Sequence, residues 1–186
     1  MRRRSPGMRM SSSSVIDSLY LKDVAVVLVT GMSGTGKSAA LAELARRGHR
    51  VVDTDYGAYS EEVPSEAGGS EQLWREDRIE ALLDGSDDGV LFISGCVSNQ
   101  GKFYPRFDVV VLLTAPANVI LERVARRESN AFGKHAAEQD RILYDLATIE
   151  PLPRAGATAE IDTRAPLDEV VDGLESIADT VRRRVD

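Results

Sequence analysis

From residue 24 onward the chain alternates between unbroken apolar runs and stretches whose apolar residues recur at helical spacing. Val24 to Thr30 is almost wholly apolar, the pattern of a strand buried on both faces. A helix follows from about Lys37 to Arg47, with Gly48 placed to close it. Val51 to Asp53 is a short second strand. Residues 54–69 are polar, contain Pro64, Gly68 and Gly69, and read as loop. Ser70 is placed to cap a helix running through about Leu83, with Leu73, Trp74, Ile79, Leu82 and Leu83 as its apolar residues. "GSDDG" is a turn, "VLFISG" a third strand, "CVSNQGKFYPRF" a polar loop and "DVVVLLT" a fourth strand. Ala115 to about Glu128 is a helix with Val119, Ile120 and Val124 on one face, "SNAFGKH" interrupts, and Ala136 to Ile149 resumes helix. "AEID" is a fifth strand, and Pro166 to about Val185 a last amphipathic helix. This alternation predicts an α/β fold, a mostly parallel sheet covered on both faces, with ligands at the carboxyl ends of its strands.

Composition narrows the picture only modestly. At 186 residues, with 42% hydrophobic and 28% charged residues, the chain has the balance of one globular domain. A basic, Arg/Ser-rich start predicts a disordered tail over residues 1–22 ahead of a domain at 23–186. Asp17, Lys22 and Asp23 break any signal-peptide core, and no apolar run approaches the ~20 residues of a spanning helix. A cytoplasmic protein without membrane contact is therefore expected. The net charge of −7 argues against sequence-independent nucleic-acid binding. The single cysteine, Cys96, excludes an internal disulfide and reads as a small buried hydrophobe. His49 and His135 have no metal-ligand spacing, and no Ser/His/Asp or Cys/His nucleophile pattern is present.

The chemistry begins in "GMSGTGKS". Gly31, Gly34 and Gly36 let the backbone turn its N–H groups toward anionic oxygens, and the next helix aims its positive end at the same point. Lys37 is expected to reach the β/γ oxygens of a nucleotide, and Ser38 to offer its hydroxyl to Mg²⁺. The phosphate-binding set is Gly31, Ser33, Gly34, Thr35, Gly36, Lys37, Ser38 and Ala39. Nothing in the chain matches an Asn/Thr-Lys-x-Asp guanine motif, and the third strand ends without the carboxylate expected of large ATPases. The acids stand after strand two instead, in "VVDTDY". Two residues apart on extended backbone, Asp53 and Asp55 point the same way. Asp53 suits Mg²⁺, directly or through water, and Asp55 suits orienting an acceptor hydroxyl and taking its proton.

Together "GMSGTGKS", "VVDTD" and "EIDTRAPLDEVVDGLESI" resemble the shikimate kinase/gluconate kinase branch of P-loop small-molecule kinases. The resemblance implies a five-stranded parallel sheet of order 2-3-1-4-5 with a small lid, here at about 126–137, and an acceptor contact from Asp55. It also implies an arginine at the lid's start stacked on adenine, a role that Arg126 or Arg127 fits, and a lid cation on the phosphates, which suits Lys134. The loop at Thr163 would wrap the adenine, although Asp162 and Thr163 equally suit a cap for the last helix. The chain departs from shikimate kinases at two places. It has "SGCVSNQG" where those enzymes carry a Gly-Gly-Gly run, and Glu150 before Pro151 where they carry a substrate-binding arginine. A carboxylate there argues against shikimate itself.

A closing lid needs cations over the transferring phosphoryl group, supplied here from among Arg123, Arg126, Arg127 and Lys134, and permissive hinge backbone at Asn130 and Gly133. For the acceptor, Arg75 or Arg78 is suited to clamp an anion, and Asn99, Gln100 and Arg106 follow a buried strand at its binding end. The expected activity is transfer of the γ-phosphoryl of ATP, with Mg²⁺, to a hydroxyl of a small metabolite by a monomer or homodimer. Lys37, Asp55, Arg127 and Lys134 are the expected catalytic groups. Two alternatives stand beside it: a nucleoside monophosphate kinase-like enzyme, and an ATP-binding module or slow ATPase without a small acceptor.

Overall fold

The computed structural model describes residues 24–65, 69–85, 89–127 and 132–183. The tail expected over 1–22 and the part of the expected lid at 128–131, which includes Asn130, lie outside the described residues.

Seven strands are described: β1 Val24–Thr30, β2 Arg50–Asp53, β3 Ser60–Pro64, β4 Ser70–Trp74, β5 Gly89–Ser94, β6 Val109–Thr114 and β7 Ala159–Asp162. The helices are α1 Lys37–Arg46, α2 Glu76–Asp84, α3 Ala117–Arg126, α4 Ala136–Thr148, α5 Pro151–Gly156 and α6 Leu167–Arg183. Five strands form a parallel sheet in the order β2-β5-β1-β6-β7. Counting only its members along the chain, that order is 2-3-1-4-5, as expected. β1 is central, so its N–H and C=O groups are paired on both sides, by β5 and β6.

Every residue of β1 is buried, because each face of the sheet is covered. Ala25, Val27 and Val29 pack with Leu41 and Leu44 of α1 and Val171 and Leu174 of α6. The alternate residues Val24, Val26 and Leu28 pack with Trp74, Ile79, Phe103 and Phe107. This two-residue period, apolar at both phases, explains why the run reads as continuous. A smaller cluster of Ile120, Val124 and Ile142 joins α3 to α4.

The structure corrects one element. The helix expected from Ser70 to about Leu83 is a strand followed by a shorter helix, and the expected loop at 54–69 supplies the strand that pairs with it. β3 and β4 form an antiparallel hairpin, Ser60 opposite Trp74 and Pro64 opposite Ser70. The turn closes through Ser65 N–H on the Gly69 carbonyl at 3.0 Å, with Gly69 at φ 83°. Long-range partners hold Trp74 extended. Asn99 accepts from its N–H and donates to its C=O, both at 2.9 Å, and the next N–H, of Arg75, bonds to Tyr59 O at 2.8 Å. None of these partners is visible in a local apolar pattern. Two short additions complete the fold: a 3-10 segment at Gln100–Arg106 within the expected loop, and α5, which carries Pro151 at its start, where a missing N–H costs nothing. No helix among the described residues is long and apolar enough to cross a membrane.

Candidate active site

β1 runs directly into the glycine loop. Gly31, Gly34 and Gly36 have φ of 146°, 88° and 98°, backbone that other residues rarely adopt. A Cβ on Gly31 would sit 2.4 Å from the Leu113 carbonyl oxygen, and one on Gly34 would sit 2.9 Å from both Ile120 and Val124. Glycine is thus required there for close approach as well as for turning. Thr35 closes the loop, its N–H and hydroxyl both donating to Met32 O, at 3.3 and 2.8 Å. α1 begins at Lys37, so its unpaired N–H groups face the same cleft. The Lys37 ammonium spans the loop, donating to Gly31 O at 2.6 Å and Met32 O at 3.3 Å.

The two aspartates flank a buried threonine. Thr54 N–H and hydroxyl both donate to Ser94 O, at 2.9 and 2.6 Å, and the hydroxyl accepts the Trp74 indole N–H at 2.7 Å. Gly95 leaves room for this: a Cβ there would lie 2.4 Å from Thr54 Oγ1 and 2.7 Å from the Trp74 ring. Threonine pinned inward leaves Asp53 and Asp55 facing the phosphate loop. Ser38 donates its hydroxyl to Asp53 Oδ2 at 3.1 Å, and Asp53 Oδ1 accepts from the Asp55 N–H at 3.1 Å. Crowding by protein walls raises the Asp55 carboxyl above its ordinary value; Lys37 draws it down and Asp53 pushes it up by smaller amounts.

Two cavities meet at this point. A cleft of about 530 Å³ runs along the glycine loop from Asp55 and Tyr56 past Arg123 and Arg127 to Thr163, with Ala165, Leu167 and Val170 as its apolar end. A second cavity of about 210 Å³ lies beside it, walled by Met32, Cys96, Phe132, Ile142 and Asp145. Ser33, Lys37 and Asp55 line both.

The phosphate-binding residues from Ser33 to Ala39, with Asp55, Arg127 and Thr163, line the larger cleft, whereas Gly31 meets it only through its carbonyl on Lys37. Arg127 donates to Ser33 Oγ at 3.4 Å and to Phe132 O at 3.0 Å. Arg126 points to solvent and pairs with Glu122 at 2.8 Å. Helical phase puts Arg123, four residues before Arg127, on the cleft side instead, donating to Thr163 Oγ1 at 2.8 Å and Thr163 O at 2.5 Å. Thr163 is buried and its hydroxyl donates to Thr114 O at 3.0 Å. Lys134 is exposed at the start of α4, where Glu138 accepts the N–H groups of Gly133, Lys134 and His135.

The residues expected at an acceptor site are engaged elsewhere. Arg75 and Arg78 lie 3.8 and 3.7 Å from Asp77, and Arg106 pairs with Asp84 at 2.5 Å. Asn99 holds the Trp74 backbone, and Gln100 is buried against Thr30 and Tyr104. None of the five lines either cavity. Trp74 is core, edge-on to Phe103 with ring centroids 5.7 Å apart. Glu150 is also buried and accepts from Arg154 at 2.7 Å. Among the lining residues that sequence reasoning passed over are Tyr56, Cys96, Phe132 and Asp145. Cys96 carried a signal in its place just after a strand's carboxyl end; the other three depend on how α4 and the loop after β2 pack.

A glycine loop joining a central parallel strand to a helix, with a hydroxyl after its lysine and carboxylates on the neighbouring strand, defines a P-loop nucleotide-binding protein. The chain belongs to the AAA domain family, whose model matches residues 27–143. No curated protein matches it in sequence. Solved structures share its fold. Shikimate kinase from Acinetobacter baumannii, in complex with shikimate, aligns with TM-score 0.58 and 19% identity over 90% of this chain and 97% of that one. A gluconokinase from Sinorhizobium meliloti 1021 gives TM-score 0.57 and 22% identity over 86% and 97%. A sugar kinase from Janibacter sp. HTCC2649 gives 0.51 and 21% over 85% and 98%.

Proposed function

We propose that the protein transfers the γ-phosphoryl group of ATP to a hydroxyl of a small metabolite. The observation that carries this reading is the junction at Ser33, Lys37 and Asp55, which line both the nucleotide-sized cleft and the smaller cavity. A phosphoryl group ending one cavity and a hydroxyl ending the other would meet there. In the transfer, the acceptor oxygen bonds to the γ-phosphorus as the bond to the β–γ bridging oxygen breaks. The hydroxyl proton passes to Asp55, and ADP and a phosphate ester leave. The raised affinity of Asp55 for a proton suits it to receive one. Lys37 and the N–H groups of Gly34 to Ser38 hold the phosphates, and Arg127, tied to Ser33 on the loop itself, offsets the charge that develops on the moving group. Arg123, Thr163 and the apolar end at Ala165, Leu167 and Val170 suit the base.

Ser38 Oγ and Asp53 Oδ2 are two hard oxygen donors 3.1 Å apart beside the loop, a set that fits Mg²⁺. The described residues contain no cluster of three or more His, Cys, Asp or Glu able to hold a metal, and Mg²⁺ in phosphate sites uses one or two protein oxygens with phosphate and water. Bound there, it would neutralise phosphate charge.

The test is ATP consumption by the purified protein across a panel of hydroxylated metabolites, with product identified as a phosphate ester. Acceptor-stimulated turnover is expected. Asp55→Asn should lower kcat by roughly 10²–10⁴-fold while ATP affinity changes little. Turnover that no acceptor accelerates, or equal loss of ATP binding and transfer in Asp55→Asn, would instead indicate an ATPase or binding module.

A further inference from the structure

The two cavities share Lys37 and Asp55 and differ in the charged residues that each has alone, Arg123 and Arg127 in the larger cleft and Asp145 in the smaller. The larger cleft collects Lys37, Arg123 and Arg127 around the loop. The charged residues of the smaller cavity are Asp55, Asp145 and Lys37. Lys37 is the sole cation lining it among the described residues, and its ammonium is already held toward the phosphate loop by the Gly31 and Met32 carbonyls. Asp145 Oδ1 accepts from Arg141 Nε at 2.8 Å, an exposed arginine one turn back on α4 that lines neither cavity. That contact orients the carboxylate through one of its oxygens, Oδ1. Met32, Cys96, Phe132 and Ile142 make the remaining wall largely apolar.

An anionic guest would therefore sit between two carboxylates, with the Arg127 fork turned onto Ser33 and Phe132 and outside the cavity's lining. Arg75, Arg78 and Arg106 line neither cavity. The internal stretches 66–68, 86–88 and 128–131 contain no lysine or arginine in their sequence. Size adds a second constraint. At about 210 Å³ the cavity has less than half the volume of the cleft beside it, which favours a single sugar-sized ring or short chain over a mononucleotide.

We infer that the acceptor is a small alcohol bearing a protonated amine, an amino alcohol or amino sugar, whose cation is held by Asp145 while its hydroxyl faces Asp55. This rests on reading the smaller cavity as the acceptor site. Carboxylate- and phosphate-bearing acceptors are rejected.

Binding is measured by calorimetry on the full-length protein with a non-hydrolysable ATP analogue and Mg²⁺ present, using glucosamine, glucose and gluconate as probes matched in size. Glucosamine should bind roughly tenfold or more tightly than glucose, and gluconate more weakly still. Asp145→Asn should narrow the gap between glucosamine and glucose, and Asp145→Arg should reverse the order between glucosamine and gluconate. Gluconate binding as tightly as glucosamine in the wild type, or no binding of any probe, overturns the inference. So does an unchanged order in both variants. Glucosamine bound in the expected order but never phosphorylated, with ATP supplied, would overturn the kinase reading and leave the charge preference of the cavity standing.

Discussion

Thr54 shows how a residue that lines neither cavity fixes the carboxylates beside it. Its hydroxyl is the shared partner of Ser94 O and the Trp74 indole N–H in a site fully closed to solvent. Thr54→Val keeps the shape and removes both bonds, leaving a buried indole N–H unpaired. The expected cost is about 1–3 kcal/mol in chemical denaturation, with kcat lowered more than ATP affinity, whereas Thr54→Ser retains kcat. As the proposed proton acceptor, Asp55 should carry the pH dependence. Its carboxyl titrates above the ordinary 3.8, chiefly through desolvation. It must be ionised to accept a proton, so kcat/KM should fall as pH drops through that raised value. Asp53→Asn removes a repelling charge, so the acid limb should move to lower pH even where overall activity is reduced. A limb that stays in place would assign it to another group.

At the scale of elements, α3 is packed against the phosphate loop and α4 at once. Ile120 and Val124 approach Gly34 on one side and form a cluster with Ile142 of α4 on the other. Gly133, at φ 92°, lies against the same cluster, and a Cβ there would sit 2.8 Å from Val124 Cγ2. Gly133→Ala combines a left-handed backbone with a clash in a small core. It should lower stability by about 1–3 kcal/mol in thermal unfolding and raise KM for the acceptor, because α4 carries Ile142 and Asp145 into the smaller cavity. The β3–β4 hairpin marks the limit of local reading at this scale. Ser70 to Trp74 has apolar residues compatible with a helix, and Asn99 and Tyr59, distant in sequence or across the turn, hold it extended.

For the molecule as a whole, opposite charges tie α1 to α6 behind the sheet. Arg47 reaches Glu43, Asp172 and Glu175 at 3.0, 2.5 and 2.7 Å, and His49 meets Glu175 at 2.8 Å. The hydrogen bond from Arg46, then that from Arg47, hold the Glu43 carboxyl at about 2 against an ordinary 4.5. A depressed carboxylate contributes stability that is fully present above the ordinary value and lost as pH falls from there toward 2. Denaturation midpoints on either side of pH 4.5 should therefore converge in Glu43→Gln. The effect should be modest, because ion pairs open to water are screened.

The phosphate loop, the strand before it and the helix after it were legible in the sequence because each depends on neighbours in the chain. Left-handed glycines, an apolar run and helical spacing are local constraints. The same holds for the parallel sheet, which follows from alternating strands and helices that have no other economical way to bury both faces. What belongs to the tertiary structure alone is which polar groups remain available once packing is complete. Arg75, Arg78, Asn99, Gln100 and Arg106 have the composition of an acceptor site, but Asp77, Trp74, Thr30, Tyr104 and Asp84 engage them. Cys96 and Asp145 lie nearly fifty residues apart and line one cavity, because α4 folds back over the carboxyl end of the sheet. A side chain's type is written in the sequence; its free valence is decided by the partners that the fold brings to it.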